Sequence, residues 1–276
     1  MPELPEVETV RRQLAPRLVG RSIVETGSHW SSKFTPATAA TGAELTGAGR
    51  RGKFLLFELD DDRQLVVHLG MTGRLQVVER PDRIGERTAV DDPSPYRRAW
   101  WALDDGSTLE FVDVRRFGRI RVVPRNDFSA IPALRQAGPE PWDPELDGRT
   151  FKTLLDRSRR KLKTQLLSQR PIAGVGNIYA DEALWLARIN PRVTRLSTER
   201  ASELLMAIRT VLERGIDNGG TTLRDYRDAA GETGSNQYSL AAYGRAGQPC
   251  RRCGETLRSA VLDARTTTWC PVCQRR

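Results

Sequence analysis

Residues 54–69 read Phe-Leu-Leu-Phe-Glu-Leu-Asp-Asp-Asp-Arg-Gln-Leu-Val-Val-His-Leu, and the fold of the first half of the chain turns on them. Two short apolar runs, Phe54–Leu59 and Leu65–Leu69, are split by the turn-forming Asp60-Asp61-Asp62. Runs of that length bounded by turn residues predict strands rather than helices. Downstream, Trp100–Leu103 and Thr108–Val112 flank Asp104-Asp105-Gly106, a hairpin signal, and Arg119–Val123 makes one more strand. Upstream, residues 3–18 carry Leu4, Val7, Leu14 and Leu18 on one helical stripe that stops at Gly20. One helix followed by several short strands between Ile23 and about Val123 predicts a β-sandwich or flattened barrel. The polar stretch Arg80–Arg97 reads as a mobile loop between strands.

The pattern changes at Pro124–Gly148, where Pro124, Pro132, Pro139, Pro141 and Pro144 forbid long regular elements. Beyond it the periodicity is helical, predicting helices over Phe151–Leu167, Asn177–Ala187 and Thr198–Asn218. The last puts Leu204, Leu205, Ile208, Val211, Leu212 and Ile216 on one face, with Ser197 as N-cap and Gly219-Gly220 as the stop. Residues 221–242 are polar and contain glycine, and a loop of that length is usually functional or disordered. The expected class is α+β.

The chain has 276 residues, with 44 Lys+Arg against 35 Asp+Glu and a net charge of +9. Most of the cations are arginine, which suits bidentate contact with phosphate and guanine, although an arginine-rich surface can also be simply solvated. No apolar run approaches the ~20 residues needed to span a bilayer. The N-terminus carries acids where a signal peptide needs basic and then apolar residues. Only four cysteines occur, all beyond residue 249, which argues against a secreted disulfide scaffold and for the cytosol.

Those cysteines form Cys250-Arg-Arg-Cys253 and, sixteen residues on, Cys270-Pro-Val-Cys273. Two paired-thiolate turns make a closed tetrahedral site for one structural Zn2+; redox pairs or disulfides are the other reading. Residues 243–276 also carry seven arginines against Glu255 and Asp263, a net of +5. A zinc-pinned hairpin of that charge suits nucleic acid, though zinc ribbons that bind only protein also exist.

The first eight residues, Met-Pro-Glu-Leu-Pro-Glu-Val-Glu, admit two readings. Pro2 and the acids can be an ordinary helix start. Alternatively, trimming of Met1 frees a secondary amine at Pro2, which attacks an aldehyde-like carbon and can only give a cationic iminium, an electron sink. Glu3 and Glu6 are then placed to shuttle protons.

Gly174-Val-Gly-Asn177 opens a helix and offers amides to a phosphate, or is a plain helical corner. Arg159, Arg160, Lys161 and Lys163 form a basic cluster that can equally be a solvated face. Lys53, in Arg50-Arg-Gly-Lys53, can sit on a phosphate or guard a strand edge. His68 and Met71, in His-Leu-Gly-Met-Thr-Gly, and Arg115, Arg116 and Phe117 lie at turns. The last three have the makings of a wedge for a base stack, or of ordinary packing.

Taken together, PELPEVE at 2–8, RRGKFL at 50–55, HLGMTG at 68–73, RRFG at 115–118, GVGNIYADE at 174–182, YGR at 243–245 and the cysteine pairs resemble the formamidopyrimidine-DNA glycosylase family across nearly the whole chain. The resemblance implies an N-terminal β-sandwich domain with an N-terminal helix (1–130), a linker (131–150), a helix–two-turn–helix domain with a lesion-capping loop (151–242) and a zinc-finger β-hairpin (243–276). Double-stranded DNA carrying oxidised bases or abasic sites would lie between the halves of a monomer.

It implies a glycosylase that removes oxidised purines and then cleaves the strand by β,δ-elimination, with zinc and no redox cofactor. Pro2 looks like the nucleophile, Glu3 the general acid/base and Glu6 a supporting carboxylate. Lys53 resembles a phosphate-binding catalytic lysine, and Asn177 and Arg265 a phosphate-gripping pair. Lys163, His68, Arg116 and Tyr243 fall at further DNA contacts. Met71, Arg115 and Phe117 match the trio that fills the gap left by the extruded nucleotide, Arg115 reading the orphaned cytosine. Extrusion costs a few kcal/mol and is least costly at a damaged pair.

The chain departs from the family at Val114, at Leu167–Pro171 and at Arg97–Trp101. An endonuclease VIII-like glycosylase for oxidised pyrimidines is a rival reading, disfavoured by Leu4. A non-catalytic damaged-DNA binder and a protein-binding zinc ribbon are the others.

Overall fold

The computed structural model describes residues 1–79 and 94–275. The chain divides into two compact units, Met1–Pro132 with Gly219–Gly234, and Ala133–Asn218 with Ser235–Arg276. This cut differs from the expected boundaries: residues 219–234 belong to the first unit, and the proline-rich stretch beyond Pro132 belongs to the second.

In the first unit, α1 (Leu4–Leu18) precedes eight strands. One antiparallel sheet has the order β1 (Ile23–Ser28), β6 (Arg97–Leu103), β7 (Thr108–Asp113), β5 (Gly73–Val78). The other has the order β2 (Leu45–Arg51), β3 (Phe54–Leu59), β4 (Arg63–His68), β8 (Arg119–Pro124). Alternate residues of each strand enter one core: Leu55, Phe57 and Leu59 from β3, Leu65 and Val67 from β4, Ala99, Trp101 and Leu103 from β6, Leu109 and Phe111 from β7. A period of two is what a sandwich requires, and α1 adds Val7, Val10, Leu14 and Leu18 to the same core. The buried Trp101 indole donates to Ala37 O at 3.1 Å, so its polar atom costs little.

The β6–β7 hairpin forms where expected, with Gly106 at φ +83° and Ser107 N donating to Asp105 Oδ1. Of the expected Arg80–Arg97 loop, residues 80–93 lie outside the described residues, and Arg97 is the first residue of β6.

The second unit holds the short α2 (Pro132–Arg135, straddling the division), α3 (Gly148–Asp156), α4 (Leu162–Leu167), α5 (Asn177–Leu186) and α6 (Thr198–Asp217). Helices α3 and α5 pack on α6, whose Leu204, Leu205, Ile208, Val211 and Leu212 are buried. Ser197 caps α6 by accepting from Arg200 N at 3.2 Å. The single helix expected over 151–167 is two helices. Past Asp156 the chain turns; the Leu162 amide goes to Val193 O, and the Gln165 side chain takes Arg160 O at 2.8 Å. Those bonds replace the i→i−4 ladder that a continuous helix would need.

The hairpin of β9 (Arg258–Leu262) and β10 (Arg265–Trp269) follows. Its two-residue turn puts Asp263 and Ala264 at φ +47° and +61°, the left-handed pair of a type I′ connection. No described helix is long and apolar enough to cross a membrane.

Candidate active site and metal centre

The N-terminus is held by a carboxylate. Glu3 caps α1, and its amide donates to Glu6 Oε2 at 2.7 Å, one turn inside the helix. The other oxygen, Glu6 Oε1, accepts the Thr221 amide at 2.7 Å. Glu6 therefore spends both oxygens on backbone, one at the helix start and one at the base of the 219–234 segment. The Tyr226 hydroxyl donates to Glu6 O at 3.4 Å, and burial followed by the Glu6 charge raises the phenol's pKa, keeping it protonated. Glu3 and Glu6 are 3% and 1% exposed, and Pro2 is buried beside them.

Lys53 follows Gly52 in the two-residue connection between β2 and β3, and is buried. Arg50 braces this turn, donating to Gly52 O at 3.0 Å and to Glu8 Oε2 of α1 at 3.2 Å. Burial opposes ionisation of Glu8, but hydrogen bonds from Arg11 and Arg12 overcome it and hold the carboxyl low. One ion-pair network thus ties the helix that starts at Glu3 to the turn that presents Lys53. Glu8 was missed by sequence reasoning, because an acid among arginines on a helix reads as an ordinary surface pair.

His68 ends β4, its ring 4.6 Å from that of Phe54. Its Nδ1 accepts the Gly70 amide at 3.2 Å, so the neutral ring carries its proton on Nε2. Burial, then the charges of Lys53 and Arg119, lowers its pKa to about 4. The sign is that of a depressed histidine: its stabilising contribution is complete above the unfolded value of about 6.5 and is lost as pH falls towards 4. We expect the His68 ring resonances to stay in the neutral state from pH 8 to pH 6 in proton NMR. A transition near 6.5 in the folded protein would contradict this environment.

Met71, Arg115, Arg116 and Phe117 sit at two turns pinned by Asp113. This fully buried carboxylate accepts Thr72 Oγ1 at 2.6 Å and the Gly118 amide at 2.7 Å. Gly70, at φ +71°, lets the turns abut, since a Cβ there would stand 2.5 Å from Gly118 N. Met71 and Phe117 remain 38% and 46% exposed, with the Arg115 guanidinium 4.8 Å from the centre of the Phe117 ring. Arg116 is exposed and takes φ +56°. The departure at Val114 leaves this turn closed, because Asp113 does the closing and Val114 is exposed.

In the second unit, Gly176 caps α5 and Asn177 is its first residue, with Oδ1 buried and unpartnered. The departing stretch Leu167–Pro171 still fixes this corner, since Gln169 Oε1 accepts the Gly174 amide at 3.0 Å. The next two acids of the motif are structural. Glu182 accepts the amides of Ala241, Ala242 and Tyr243, each at 2.8 Å, which sets the half-buried Tyr243. Asp181 Oδ2 accepts the Thr268 amide of β10 at 3.0 Å, the strand that begins with the exposed Arg265. Asn177, Arg265 and Tyr243 are thus carried by backbone bonded to one short helix.

Lys163 corrects an expectation. It is fully buried, 2.7 Å from Asp181 Oδ1 and 2.8 Å from Thr266 O, so its ammonium cross-links α4, α5 and β10 rather than meeting a phosphate at the surface. Burial raises the Asp181 pKa, and the Lys163 charge opposes that rise. Lys163→Met leaves the carboxylate buried without its counter-charge, and we expect a loss of about 3–5 kcal/mol in urea denaturation. Lys163→Met with Asp181→Leu should recover part of that loss, because no charge is left buried, though the Thr268 amide still lacks its acceptor.

The four cysteines are unpaired, and their sulfurs lie within 4.8 Å of one another. That spacing suits four ligands at ~2.3 Å from one tetrahedral zinc. Trp185 Nε1 lies 3.4 Å from Cys250 Sγ, and Arg252 stacks 4.2 Å over the Trp185 ring, so α5 also supports the metal centre. The donor set fits one structural zinc.

Three family models match in succession. They are the formamidopyrimidine-DNA glycosylase N-terminal domain over residues 1–120, the H2TH domain of that enzyme over 137–227, and a zinc finger found in FPG and IleRS over 247–276. A formamidopyrimidine-DNA glycosylase of Herpetosiphon aurantiacus is 46% identical, over 99% of this chain and 100% of its own. One from Deinococcus radiodurans is 41% identical, over 99% and 97%. The crystal structure of the MutM (Fpg) protein of Thermus thermophilus superposes with a TM-score of 0.88 at 43% identity, covering 99% of this chain and 98% of that one. Lactococcus lactis Fpg in complex with DNA containing an abasic site gives 0.85 at 35% identity, covering 99% and 100%.

Proposed function

Because this chain belongs to the formamidopyrimidine-DNA glycosylase family, we propose that Pro2, Glu3, Glu6 and Lys53 carry out base removal and strand cleavage in its first unit. The protein is a base-excision repair glycosylase and lyase acting on DNA with oxidised purines or abasic sites. The observation that carries the residue assignment is the buried pair of acids at the start of α1. Glu6 holds the amides of Glu3 and Thr221 and the Glu3 carboxylate in turn accepts the Glu6 amide, so both acids are fixed beside Pro2, and Glu3, its neighbour in the chain, is assigned the proton transfer.

Once Met1 is removed, the Pro2 nitrogen bonds to C1′ of the extruded nucleotide and the C1′–base bond breaks, the departing base taking up a proton. The nitrogen gives up its own proton, and its freed lone pair forms the C1′=N bond of the iminium as the C1′–O4′ bond opens and Glu3 protonates the ring oxygen. Abstraction of a C2′ proton expels the 3′ phosphate, and a second elimination expels the 5′ phosphate, giving a one-nucleotide gap flanked by phosphates.

Lys53 and the neutral His68 are assigned to phosphate oxygens, the second as an N–H donor without charge. Asn177, Arg265 and Tyr243 of the second unit take phosphates as well. Met71, Arg115 and Phe117 fill the space vacated by the nucleotide, and Arg116 adds charge beside them. Zinc supplies a cross-link and no chemistry. We assign the protein to the cytoplasm, beside the chromosome, as a monomer.

The test is borohydride trapping on duplex DNA with 8-oxoguanine opposite cytosine. A covalent adduct is expected. Tight binding without adduct, in protein shown by mass to lack Met1, would leave only a damaged-DNA binder. An adduct confined to oxidised pyrimidines would move the protein to the endonuclease VIII side.

A further inference from the structure

Trp30 is 81% exposed, the most exposed of the large apolar side chains among the described residues. Its turn is nonetheless anchored. Its ring lies tilted by 33° against His29 with centroids 5.1 Å apart, and His29 meets the fully buried Phe34 edge-on at 6.4 Å. The backbone around it is anchored at both ends, by His29 N to Arg98 O at 2.8 Å and by Ile120 N to Lys33 O at 2.9 Å. The Ser31 amide also donates to His29 Nδ1 at 3.3 Å. An indole left in water on an anchored turn forgoes burial worth ~25 cal/mol per Å2 of apolar surface, so its position is not explained by folding of the unit.

Its neighbours indicate what covers it. Lys33 Nζ donates to Arg116 O at 2.8 Å, and Arg121 donates to Ser32 O at 3.1 Å. The Trp30 turn is therefore stitched to the turn that carries Arg115, Arg116 and Phe117. Across residues 27–35 and 114–121 there is no carboxylate, while Lys33, Arg115, Arg116, Arg119 and Arg121 supply five cations. An exposed aromatic side chain on a turn bonded to a cation-rich turn, whose adjoining acid Asp113 is buried, suits a polyanion whose repeating unit has a flat π-surface.

We propose that Trp30 is a stacking contact for a nucleobase or sugar of the undamaged strand, beyond the orphaned base assigned to Arg115. The proposal rests on the DNA reading of the Arg115–Phe117 turn and extends its footprint along the same strand. His29 positions the ring, and Lys33 locks its turn to Arg116. Because base–aromatic stacking tolerates any sequence, Trp30 adds affinity without adding base preference.

The experiment uses the full chain with a duplex carrying a tetrahydrofuran abasic analogue opposite cytosine, and 2-aminopurine in the undamaged strand beside that cytosine. Trp30→Ala should weaken binding roughly tenfold and abolish the Trp30-dependent quenching of 2-aminopurine, while Trp30→Phe keeps most of both. An unchanged melting temperature shows that the variants fold. Equal affinity and equal quenching in Trp30→Ala overturn the proposal. So does a wild-type dimer that Trp30→Ala dissociates in sedimentation velocity, since a second copy would then be the occupant. Failure of the wild type to bind this duplex at all is a different result, which removes the DNA reading and the proposal together.

Discussion

Pro2→Gly is expected to cut the yield of borohydride-trapped adduct by on the order of a hundredfold, equivalent to about 2.7 kcal/mol of barrier. Proline's amine is secondary, so its condensation product with C1′ is a cation at every pH. Glycine's primary amine gives a neutral imine that must first be protonated before it can accept electrons. Glycine also loses the buried pyrrolidine ring and gains backbone freedom at the position where the nucleophile must be aimed. Retention of Met1 should act more completely, because a peptide nitrogen's lone pair is delocalised into the carbonyl. Intact mass must therefore be measured on each preparation before trapping. Equal yields from proline and glycine termini, both processed, would assign the attack to some other amine.

Zinc removal is expected to be as severe, but on binding rather than chemistry. The hairpin's own apolar cluster is small: Cys250, Leu257 and Cys270, with Trp185 and Cys273 packed against it. Two of its three buried members are metal ligands, so once the metal leaves the cysteine turns lose their own support and β10 is held only from one side, by Asp181 and Lys163. Structural zinc sites of this type contribute ~10–16 kcal/mol of apparent binding energy that doubles as folding energy. A strong chelator, or Cys270→Ser, should therefore take zinc content from one equivalent towards none, and weaken binding to a tetrahydrofuran-containing duplex at least about a hundredfold as Arg265 loses its strand. Trp185, in contact with Cys250, gives a fluorescence readout of the same event. A zinc-free protein that binds DNA as tightly as the holoprotein would show that the hairpin is dispensable.

The sandwich was legible because its strands alternate: Leu55, Phe57 and Leu59 point one way, and period two is hard to mistake. The cysteine turns were equally clear, since two residues between thiolates leave few other uses. The break between α3 and α4 was not legible. Residues 151–167 keep a helical apolar pattern throughout, and what ends the first helix is a set of partners, Val193 and Pro191, far away in sequence. Lys163 failed for a related reason. Within a run of basic residues its identity suggests solvent, and only Asp181, eighteen residues later, turns it inward. The same motif that pointed to Asn177 contained Asp181 and Glu182, but their acceptor roles depend on amides at 268 and 241–243 that no local pattern announces.

The 219–234 segment has a genetic consequence. Both of its ends join residues of the second unit, Asn218 and Ser235, while its own bonds run to Glu6 and Gln13 of α1. The polypeptide therefore passes between the units three times, at 132/133, 218/219 and 234/235. No single cut in the gene yields either unit whole. A fragment ending at Pro132 would lose the bonds from Glu6 to Thr221 and from Gln13 to Asp228, and a fragment beginning after it would carry the sixteen residues 219–234 without α1. Recombination that keeps both units whole must exchange a block spanning all three crossings, so the 219–234 segment makes the two units one heritable piece.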